Sequence, residues 1–551
     1  KTMYLPLIEK MPSYLFLIRP RRFGKSVFLS MMRTYYDILR QDDFDAYFGD
    51  LWIGTHPTGE RNKYQVLYFD FSKAGCSMPG ADLMTSFNDY CSLIINQFAH
   101  VYAAFYDADF KETVKNIESA KSKLAYIEIK AKEKGYPLYL IIDEYDNFTN
   151  VILSEHGQQM FHDLTHASGF YREYFKQFKG MFDRIFMMGV SPVTLDDLSS
   201  GYNIDWNISV DPRFNAMMGF DETEVREMFH YYQQNDMLNG DVEAMIAEMK
   251  PWYDNYCFAR KSLDDDRVFN CDMTLYYLRW QVDFHRAPEE MVDKNIRTDY
   301  SKLKMLARID RDSVQEGDRM STIVKIAAEG DIFVDLHTSF PAERITDIDN
   351  FRSLLYYYGL LTMCGTRGDL IKMSIPNNCV REQYFGFLRD YYQKYSSIDL
   401  HYLNVMLTDM AYDGRWKPFF ESVAQAYREN SAVRDAMEGE RNLQGFLKAY
   451  LALASYYLVE PELEMNYGYC DFFLLPDKKR YPDVKHSYIL ELKYATRTAT
   501  DAELEVQALE GRNQLLQYSE DKIVRCLSEG TTLHRLLLQF RGWDLVRCEE
   551  V

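Results

Sequence analysis

Tyr14-Leu15-Phe16-Leu17-Ile18-Arg19-Pro20-Arg21-Arg22-Phe23-Gly24-Lys25-Ser26 runs from an apolar stretch through a basic turn into Gly-Lys-Ser. The apolar stretch predicts a short strand that stops at Arg19-Pro20, and Ser26 to Leu39 has helical spacing. Strand, turn and helix in that order make a phosphate loop. The turn fits GxxxxGK[ST] except that Arg19 stands where the first Gly is expected. Backbone N–H groups of the loop and of the helix N-terminus can surround phosphates. Arg22 and Phe23 are candidates for that cradle, Arg21 and Arg22 reading as either phosphate-facing or solvated, and Gly24 allows close backbone approach. Lys25 is the candidate for the β- and γ-phosphates, and the Ser26 hydroxyl the candidate ligand for Mg²⁺. The bland reading is a basic turn before a helix, and an acid-ended apolar strand further along the chain weakens it.

Leu138-Tyr139-Leu140-Ile141-Ile142-Asp143-Glu144 is that strand, apolar and ending in two acids, the Walker B form. Asp143 is the candidate Mg²⁺ holder, and Glu144 the candidate for orienting or deprotonating the attacking water. Val66 to Phe71 and Ile185 to Val190 read as two more strands, and Ser191 at the end of the latter is the candidate γ-phosphate sensor. No arginine finger can be picked out. Helical stretches around Asp82 to Tyr106 and Thr113 to Lys134 alternate with these strands. Alternation of this kind predicts a mostly parallel sheet covered on both faces, an α/β fold.

The pattern changes near Gly219-Phe220. Asp221 with Glu224 predicts a capping box opening a helix over Glu222 to Gln234. From there to about residue 430 the chain reads as mainly helical. The aromatics of Trp252 to Phe258 are expected in a core rather than in a ligand cage, with Asp254 a candidate cap. A third pattern begins beyond that: a helix near Glu440 to Tyr457, strands at Gly468 to Leu475 and Ser487 to Tyr494, a helix at Asp501 to Tyr518, and a strand at Leu533 to Phe540. Glu491 and Lys493 are two apart on one strand and so share a face. A charged pair on an apolar strand needs a partner or a metal. Asp471 on the neighbouring strand can share a divalent ion with Glu491, Lys493 can stabilise charge on a scissile phosphate, and Glu440 can supply a further acid. Glu460, Glu462 and Glu464 read as a solvated strand face. Gln514, Gln517 and Tyr518 lie on the helix after Lys493 and are weaker candidates.

The totals set limits. The chain has 551 residues, which predicts several domains. A formal net charge of -20 excludes nucleic-acid binding by bulk charge. Residues 431–551 hold 15 Lys and Arg against 20 Asp and Glu, so even this part is net acidic. Nine Cys include no C-x-x-C pair, so zinc sites and disulfides are not expected, and a reducing, cytoplasmic setting is. No membrane span is expected either.

Together these residues resemble the bacterial AAA-ATPase-like proteins with a C-terminal PD-(D/E)XK nuclease domain. The opening Lys1-Thr2 and Phe16 to Ser26 is similar to that family's "DKT…FLxRPRRFGKS", in which the missing Gly is a shared trait. Asp143 to Asp146, Gly189 to Pro192, Gly219-Phe220 with Glu222 to Val225, Trp252 to Tyr256, Asp293 to Ser301, Tyr358 to Thr362 and Ile375 to Asn377 carry the rest. The C-terminal carry-over is Glu440, Asp471, Glu491 and Lys493, with Tyr469 standing where the family usually has Arg. The resemblance implies a P-loop NTPase parallel sheet, a helical middle domain and a C-terminal α/β restriction-endonuclease-like domain. The corresponding bounds are 1–218, 219–390, a helical linker at 391–430, and 431–551. It implies ATP and Mg²⁺ as cofactors, with Mn²⁺ an alternative at the nuclease site, and DNA or RNA as substrate. An oligomer is compatible with this reading. A nucleotide-driven switch whose nuclease-like domain only binds a partner is the main competing expectation. A metabolic P-loop kinase is the weaker one, because no second substrate pocket is apparent.

Overall fold

In the computed structural model, Tyr14–Ile18 (β1), Gln65–Asp70 (β2), Leu138–Asp143 (β3), Arg184–Gly189 (β4) and Trp206–Asn207 (β5) form one parallel sheet. The strand order is β2-β3-β4-β1-β5. The structure describes residues 1–551 except 75–82, 148–169, 194–205, 266, 293–302, 304–305, 307–314, 342–343, 346, 394–398, 430–438, 454–455, 466–467 and 479. The segment Asp293 to Ser301 therefore lies outside the described residues. The chain divides into two compact units. The first comprises Lys1–Ala287 with Phe333–Pro376, and the second Pro288–Ile332 with Asn377–Val551.

Every residue of β3 is buried, as are four of the five in β1. A parallel sheet buried on both faces selects near-continuous apolar strands, which is why these two could be read from sequence. The strand ends carry the polar groups. Helix α1 (Lys25–Tyr36) starts directly after the phosphate loop, with Gly24 as its N-cap at φ +84°. Helices α2 (Leu83–Val101), α3 (Ala120–Lys134) and α4 (Phe170–Phe178) supply the apolar layers. Beyond the sheet, α5 (Glu222–Gln234) opens with both halves of the expected Asp221/Glu224 capping box. Helices α6 (Val242–Tyr253), α7 (Cys271–Phe284) and α8 (Ile348–Tyr357) come next, and Asp254 closes α6 as its C-cap. This helical part also holds a three-stranded sheet, Asp331–Val334 (β6), Thr362–Arg367 (β7) and Leu370–Ser374 (β8), which the sequence reading did not single out. Thr362, Met363, Ile371 and Met373 are its buried residues on β7 and β8. Two strands of five or six residues, mixed with Gly, Arg and Lys, carry too little periodicity to be seen among helices.

The second unit contains helices Gln315–Glu329, Asn378–Gln393, Leu400–Asp413 and Lys417–Glu429, then α9 (Glu440–Leu451). Its sheet is built from Tyr457–Met465 (β9), Gly468–Pro476 (β10), His486–Ala495 (β11), Thr532–Arg541 (β12) and Asp544–Glu550 (β13), in the order β13-β12-β11-β10-β9. Only β11 and β12 pair in parallel. A parallel pair needs a long crossover, and α10 (Asp501–Ser519) provides it, opening with a Thr500/Glu503 capping box. Ala508, Leu515 and Tyr518 of α10 pack on Cys470, Phe473, Ile489 and Leu537 of the sheet. The helix expected to reach Tyr457 ends at Leu451, and Glu460 to Glu464 extend as part of edge strand β9, where Pro461 is tolerated.

Gly189, at the end of β4, tests how tightly the first sheet is packed against the Tyr145-Asp146 turn that follows β3. A Cβ there would lie 2.5 Å from Asp146 Oδ1 and closer still to the Tyr145 ring. Gly189→Ala is expected to lower stability by about 1–3 kcal/mol through overpacking. A chemical-denaturation midpoint equal to that of the native chain would contradict this.

Candidate active sites

The phosphate loop leaves β1 at Arg19, and the structure explains the residue that stands there. Arg19 is 1% exposed, and its guanidinium donates to the carbonyls of Ile18 (2.9 Å), Ser209 (2.6 Å) and Phe214 (2.9 Å). It also lies 4.2 Å over the Phe258 ring. Burial pulls its pKa down to about 10. Carbonyl oxygens and a π face, rather than a carboxylate, meet the Nη groups of this cation, and its Nε has no partner among the described residues. One position on, the Pro20 ring sits against Gly359, where a Cβ would come within 2.8 Å. Phe23 is buried edge-on between Tyr256 (4.8 Å) and Phe258 (5.5 Å). The aromatics of the Trp252 to Phe258 segment thus form core beneath the loop.

Lys25, Ser26, Asp143 and Glu144 come together at the ends of β1 and β3. The Ser26 hydroxyl donates to Asp143 Oδ2 at 2.6 Å. Lys25 is 6% exposed, and its Nζ donates to the carbonyls of Pro20 (2.9 Å) and Arg19 (3.2 Å). Burial lowers the Lys25 pKa to about 8, against the opposing pull of Glu144, Asp143 and Asp146. Glu144 sits at φ +49°, a left-handed conformation uncommon for a non-glycine residue. Burial raises its pKa, with Arg21 pulling the other way. Arg22, also left-handed at φ +69°, pairs with Asp272 at 2.7 Å. A cavity of about 600 Å³ opens over the loop, with Lys25, Ser26 and Glu144 on one part of its wall and Phe220, Cys271 and Leu275 on another. That volume suits a small-molecule ligand.

Ser191 is fully buried at the end of the strand lying between β1 and β3. Its N–H donates to Asp146 Oδ2 at 2.7 Å, and its Oγ accepts from Val193 N–H at 3.2 Å. Two residues were missed by the sequence reading. Asp146 is buried and accepts from both Val190 and Ser191 N–H, tying β4 to the turn after β3. The Tyr68 hydroxyl, from β2, lies 3.4 Å from Asp143 Oδ2, with Arg33 4.5 Å over its ring. Asp146, three residues past Asp143, could have been singled out from the Walker B segment. Tyr68 offers no local signal.

In the second unit Asp471, Glu491 and Lys493 converge as expected. Lys493 Nζ donates to Glu491 Oε1 at 2.8 Å, and Leu492 N–H donates to Asp471 Oδ2 at 2.7 Å. The other oxygen of Asp471 accepts from Gln444 Nε2 at 3.0 Å. Gln444 lies one turn after Glu440 on α9. Glu440 itself is exposed, and its charge raises the pKa of Asp471 from a distance. The i,i+4 spacing from Glu440 was the signal that could have found Gln444. Gly511 of α10 lets the helix close over the pair. A Cβ there would meet Leu537 at 2.7 Å and Lys493 at 3.3 Å. Tyr518 is buried where the charges of Glu491 and Asp471 reach its hydroxyl, with Gln514 hydrogen-bonded to it, whereas Gln517 faces solvent.

Residues 1–199 match the family described as a predicted AAA-ATPase, and residues 438–550 match the PD-(D/E)XK nuclease superfamily. The chain carries an AAA-ATPase-like domain and a PD-(D/E)XK nuclease-superfamily domain. No curated protein matches it. Among solved structures, the Orc1 protein of Aeropyrum pernix in complex with DNA aligns over 71% of this chain and 91% of its own, at 10% identity and a TM-score of 0.26. A score that low carries no argument.

The donors of the PD-(D/E)XK site fit a hard divalent cation. Glu491 is 4% exposed, and its Oε2 accepts no hydrogen bond among the described residues. Burial, then the Asp471 charge, raises the Glu491 pKa, and burial raises that of Asp471. Two buried carboxylates facing one another with a single lysine are short of positive charge. Among the described residues no three His, Cys, Asp or Glu side chains form a metal cluster. Two carboxylates at one site can be shared by a hard divalent cation that completes its shell with water. In the AAA-ATPase-like domain, Ser26 and Asp143 offer the hydroxyl and carboxylate that the same ion takes beside phosphates.

A carboxyl group whose folded pKa is raised binds its proton more tightly in the folded chain. Its contribution to stability is then full below the unfolded value of about 4 and is lost as pH rises through the folded value. In chelator, Glu491→Gln is expected to stabilise the second unit by about 1–3 kcal/mol at pH 8 and not at all below about pH 4. Thermal melts across that range check it, and a pH-independent difference would contradict the stated cause.

Proposed function

We propose that this protein binds and hydrolyses ATP at the Lys25/Asp143 site, and that nucleotide turnover governs a metal-dependent nuclease at Asp471, Glu491 and Lys493. The observation that carries the first half is the convergence of Lys25, Ser26, Asp143 and Glu144, with Ser26 in the first turn of α1 joined to Asp143 at the end of β3 at 2.6 Å. Lys25 carries charge to the β- and γ-phosphates, and Arg22, Phe23 and Gly24 shape the loop around them. Glu144 orients and deprotonates the attacking water, a role that suits a carboxylate raised toward neutrality by burial. Ser191 reports the γ-phosphate. Ser26 and Asp143 would hold Mg²⁺, and Asp471 and Glu491 would hold Mg²⁺ or Mn²⁺; such an ion would polarise phosphoryl oxygens and lower the pKa of a bound water. Lys493 offsets charge on the scissile phosphate, Gln444 and Leu492 N–H hold Asp471 in place, and Glu440 adds a further acid. The substrate is DNA or RNA, and the setting is the reducing cytoplasm.

The functional partition takes the sequence bounds: 1–218 for nucleotide, 219–390 for the lid, 391–430 for the linker and 431–551 for cleavage. The family matches at 1–199 and 438–550 fall within the outer two. One observation favours a second reading, in which the C-terminal domain binds a partner without cutting. Three arginines of its sheet and helix are engaged by acids, Arg512 by Glu549, Arg541 by Asp501 and Arg547 by Glu505, so these are not free to meet a polyanion.

Cleavage of labelled DNA and RNA with Mg²⁺ or Mn²⁺, with and without ATP, tests the proposal. Lys25→Ala is expected to weaken ATP binding by about tenfold or more. Glu144→Gln should keep binding and lose phosphate release. Asp471→Asn, Glu491→Gln and Lys493→Ala should each abolish cleavage while leaving ATP hydrolysis in place. Retention of nucleic acid with no cleavage by the native chain would select the second reading. Cleavage surviving in Glu491→Gln would remove this site from the reaction.

A further inference from the structure

The nucleotide loop does not rest on its own sheet alone. The segment Tyr356 to Met363, more than 300 residues downstream, packs against it within the first unit. Gly359 takes φ +76°, and its missing Cβ leaves room for the Pro20 ring, which a methyl group would meet at 2.8–2.9 Å. Pro20 is the residue whose carbonyl holds Lys25 Nζ at 2.9 Å. The neighbouring Tyr358 hydrogen-bonds with the Ser191 side chain and lies near Asp146 and Arg21. The same segment is fastened to the aromatic platform under Phe23. Tyr356 OH donates to the Phe258 carbonyl (2.9 Å), Thr362 Oγ1 accepts from Cys257 N–H (2.8 Å), and it donates to the Asn255 carbonyl (3.0 Å). From Thr362 the chain runs through β7 and β8 to Pro376, whose carbonyl accepts from Asn255 Nδ2 at 2.9 Å. Pro376 is the last residue of the first unit, and Asn377 begins the long stretch of the second.

We propose that the Tyr358–Gly359 turn is a positioning element of the nucleotide site: Gly359 seats Pro20 and so places Lys25, and Tyr358 orients Ser191 and passes the state of the γ-phosphate position to the β7–β8 pair. The proposal rests on the ATP reading of that site. Its physical content is close packing of the Pro20 ring on Gly359, where no side chain could be accommodated. A shift of Pro20 as Lys25 exchanges a carbonyl for phosphate would press on Gly359. A turn of the Ser191 side chain changes the one side-chain partner it shares with Tyr358. Both residues lead by covalent chain into β7, so each movement is delivered to the β7–β8 pair within the first unit. Packed segments of this kind respond by discrete steps rather than gradual deformation.

Titrating the full chain with fluorescent ATP and ADP analogues, together with hydrogen exchange over residues 362–374, tests this. In Tyr358→Phe the ratio of the ADP and ATP dissociation constants is expected to move about fivefold toward unity, the effect of one lost hydrogen bond. ADP affinity should hold within about twofold, since only Ser191 is re-aimed. ATP should slow exchange over 362–374 in the native chain and not in this variant. A role limited to packing would weaken both nucleotides together and leave the ratio unmoved, and that result overturns the relay. Gly359→Ala is expected to weaken both nucleotides by about tenfold, because its Cβ displaces Pro20. Unchanged affinity there overturns the Pro20 contact as a positioning device. Failure of the native chain to bind either nucleotide would sink the ATP reading itself, a result distinct from an unmoved ratio.

Discussion

A cation taken out of water has to be met by oxygen or by a π face, and in this protein that requirement organises the phosphate loop. Arg19 and Lys25 are both buried within one short turn. Neither reaches a carboxylate by a direct hydrogen bond. Arg19 spends its donors on the carbonyls of Ile18, Ser209 and Phe214, and Lys25 points to the carbonyls of Arg19 and Pro20. Carbonyls can offer themselves in such number only where the backbone is not closed into a ladder, so the chain around the loop has to be irregular and held from outside. Ser209, Phe214 and Phe258 hold it on one side and Gly359 on another. The arginine that replaces the expected glycine thus adds a fixed point. It trades backbone freedom for an anchor, and later segments of the chain complete that anchor.

This bears on what could be read from the sequence. The strands β1 and β3, the loop between β1 and α1, the Asp221/Glu224 cap and the Glu491/Lys493 pair all rest on local rules: apolar runs, glycine at positive φ, a three-residue capping interval, a period of two. Each of these was legible. Asp471 was legible because strands β10 and β11 are consecutive and close in the chain. What was not legible depends on segments that meet only after folding. Tyr68 reaches Asp143 because β2 lies beside β3, and nothing within β2 marks that tyrosine. Gly359 looks like any helix-ending glycine until Pro20 is placed against it. The β6-β8-β7 sheet failed for another reason: short, half-polar strands embedded among helices give no period that outweighs the helical background. Glu440 marks the middle case. The helix was right, but the direct contact to Asp471 belongs to Gln444 one turn further on.

The two candidate sites share a deeper feature. Each is built at the ends or middle of apolar strands, where solvent cannot screen charge, and each is left with an imbalance. The nucleotide site has Asp143, Glu144 and Asp146 against one buried lysine, and the C-terminal site has Asp471 and Glu491 against Lys493. In both, burial raises carboxylate pKa values. Such arrangements lower stability relative to an apolar core of the same shape. They persist where a binding partner restores the balance, and active sites characteristically carry perturbed groups for that reason.

The acidic balance of the whole chain can be reconciled with a polyanionic substrate on the same grounds. A net charge of -20 opposes long-range attraction of nucleic acid, but screening confines that repulsion to about 8–10 Å at physiological ionic strength. Inside that distance the local groups decide. On the C-terminal sheet those groups are arginines already held by Asp501, Glu505 and Glu549, with Lys493 held by Glu491. The three arginine pairs are partly exposed, and surface ion pairs are worth only about 0–1 kcal/mol each. A phosphate backbone arriving at the site can take over such donors at small cost, one after another. The lysine is different, because its partner Glu491 is buried, and releasing it would leave that carboxylate to be neutralised by a proton or by a bound cation. On the proposed reading, an ion held by Asp471 and Glu491 would free Lys493 for phosphate.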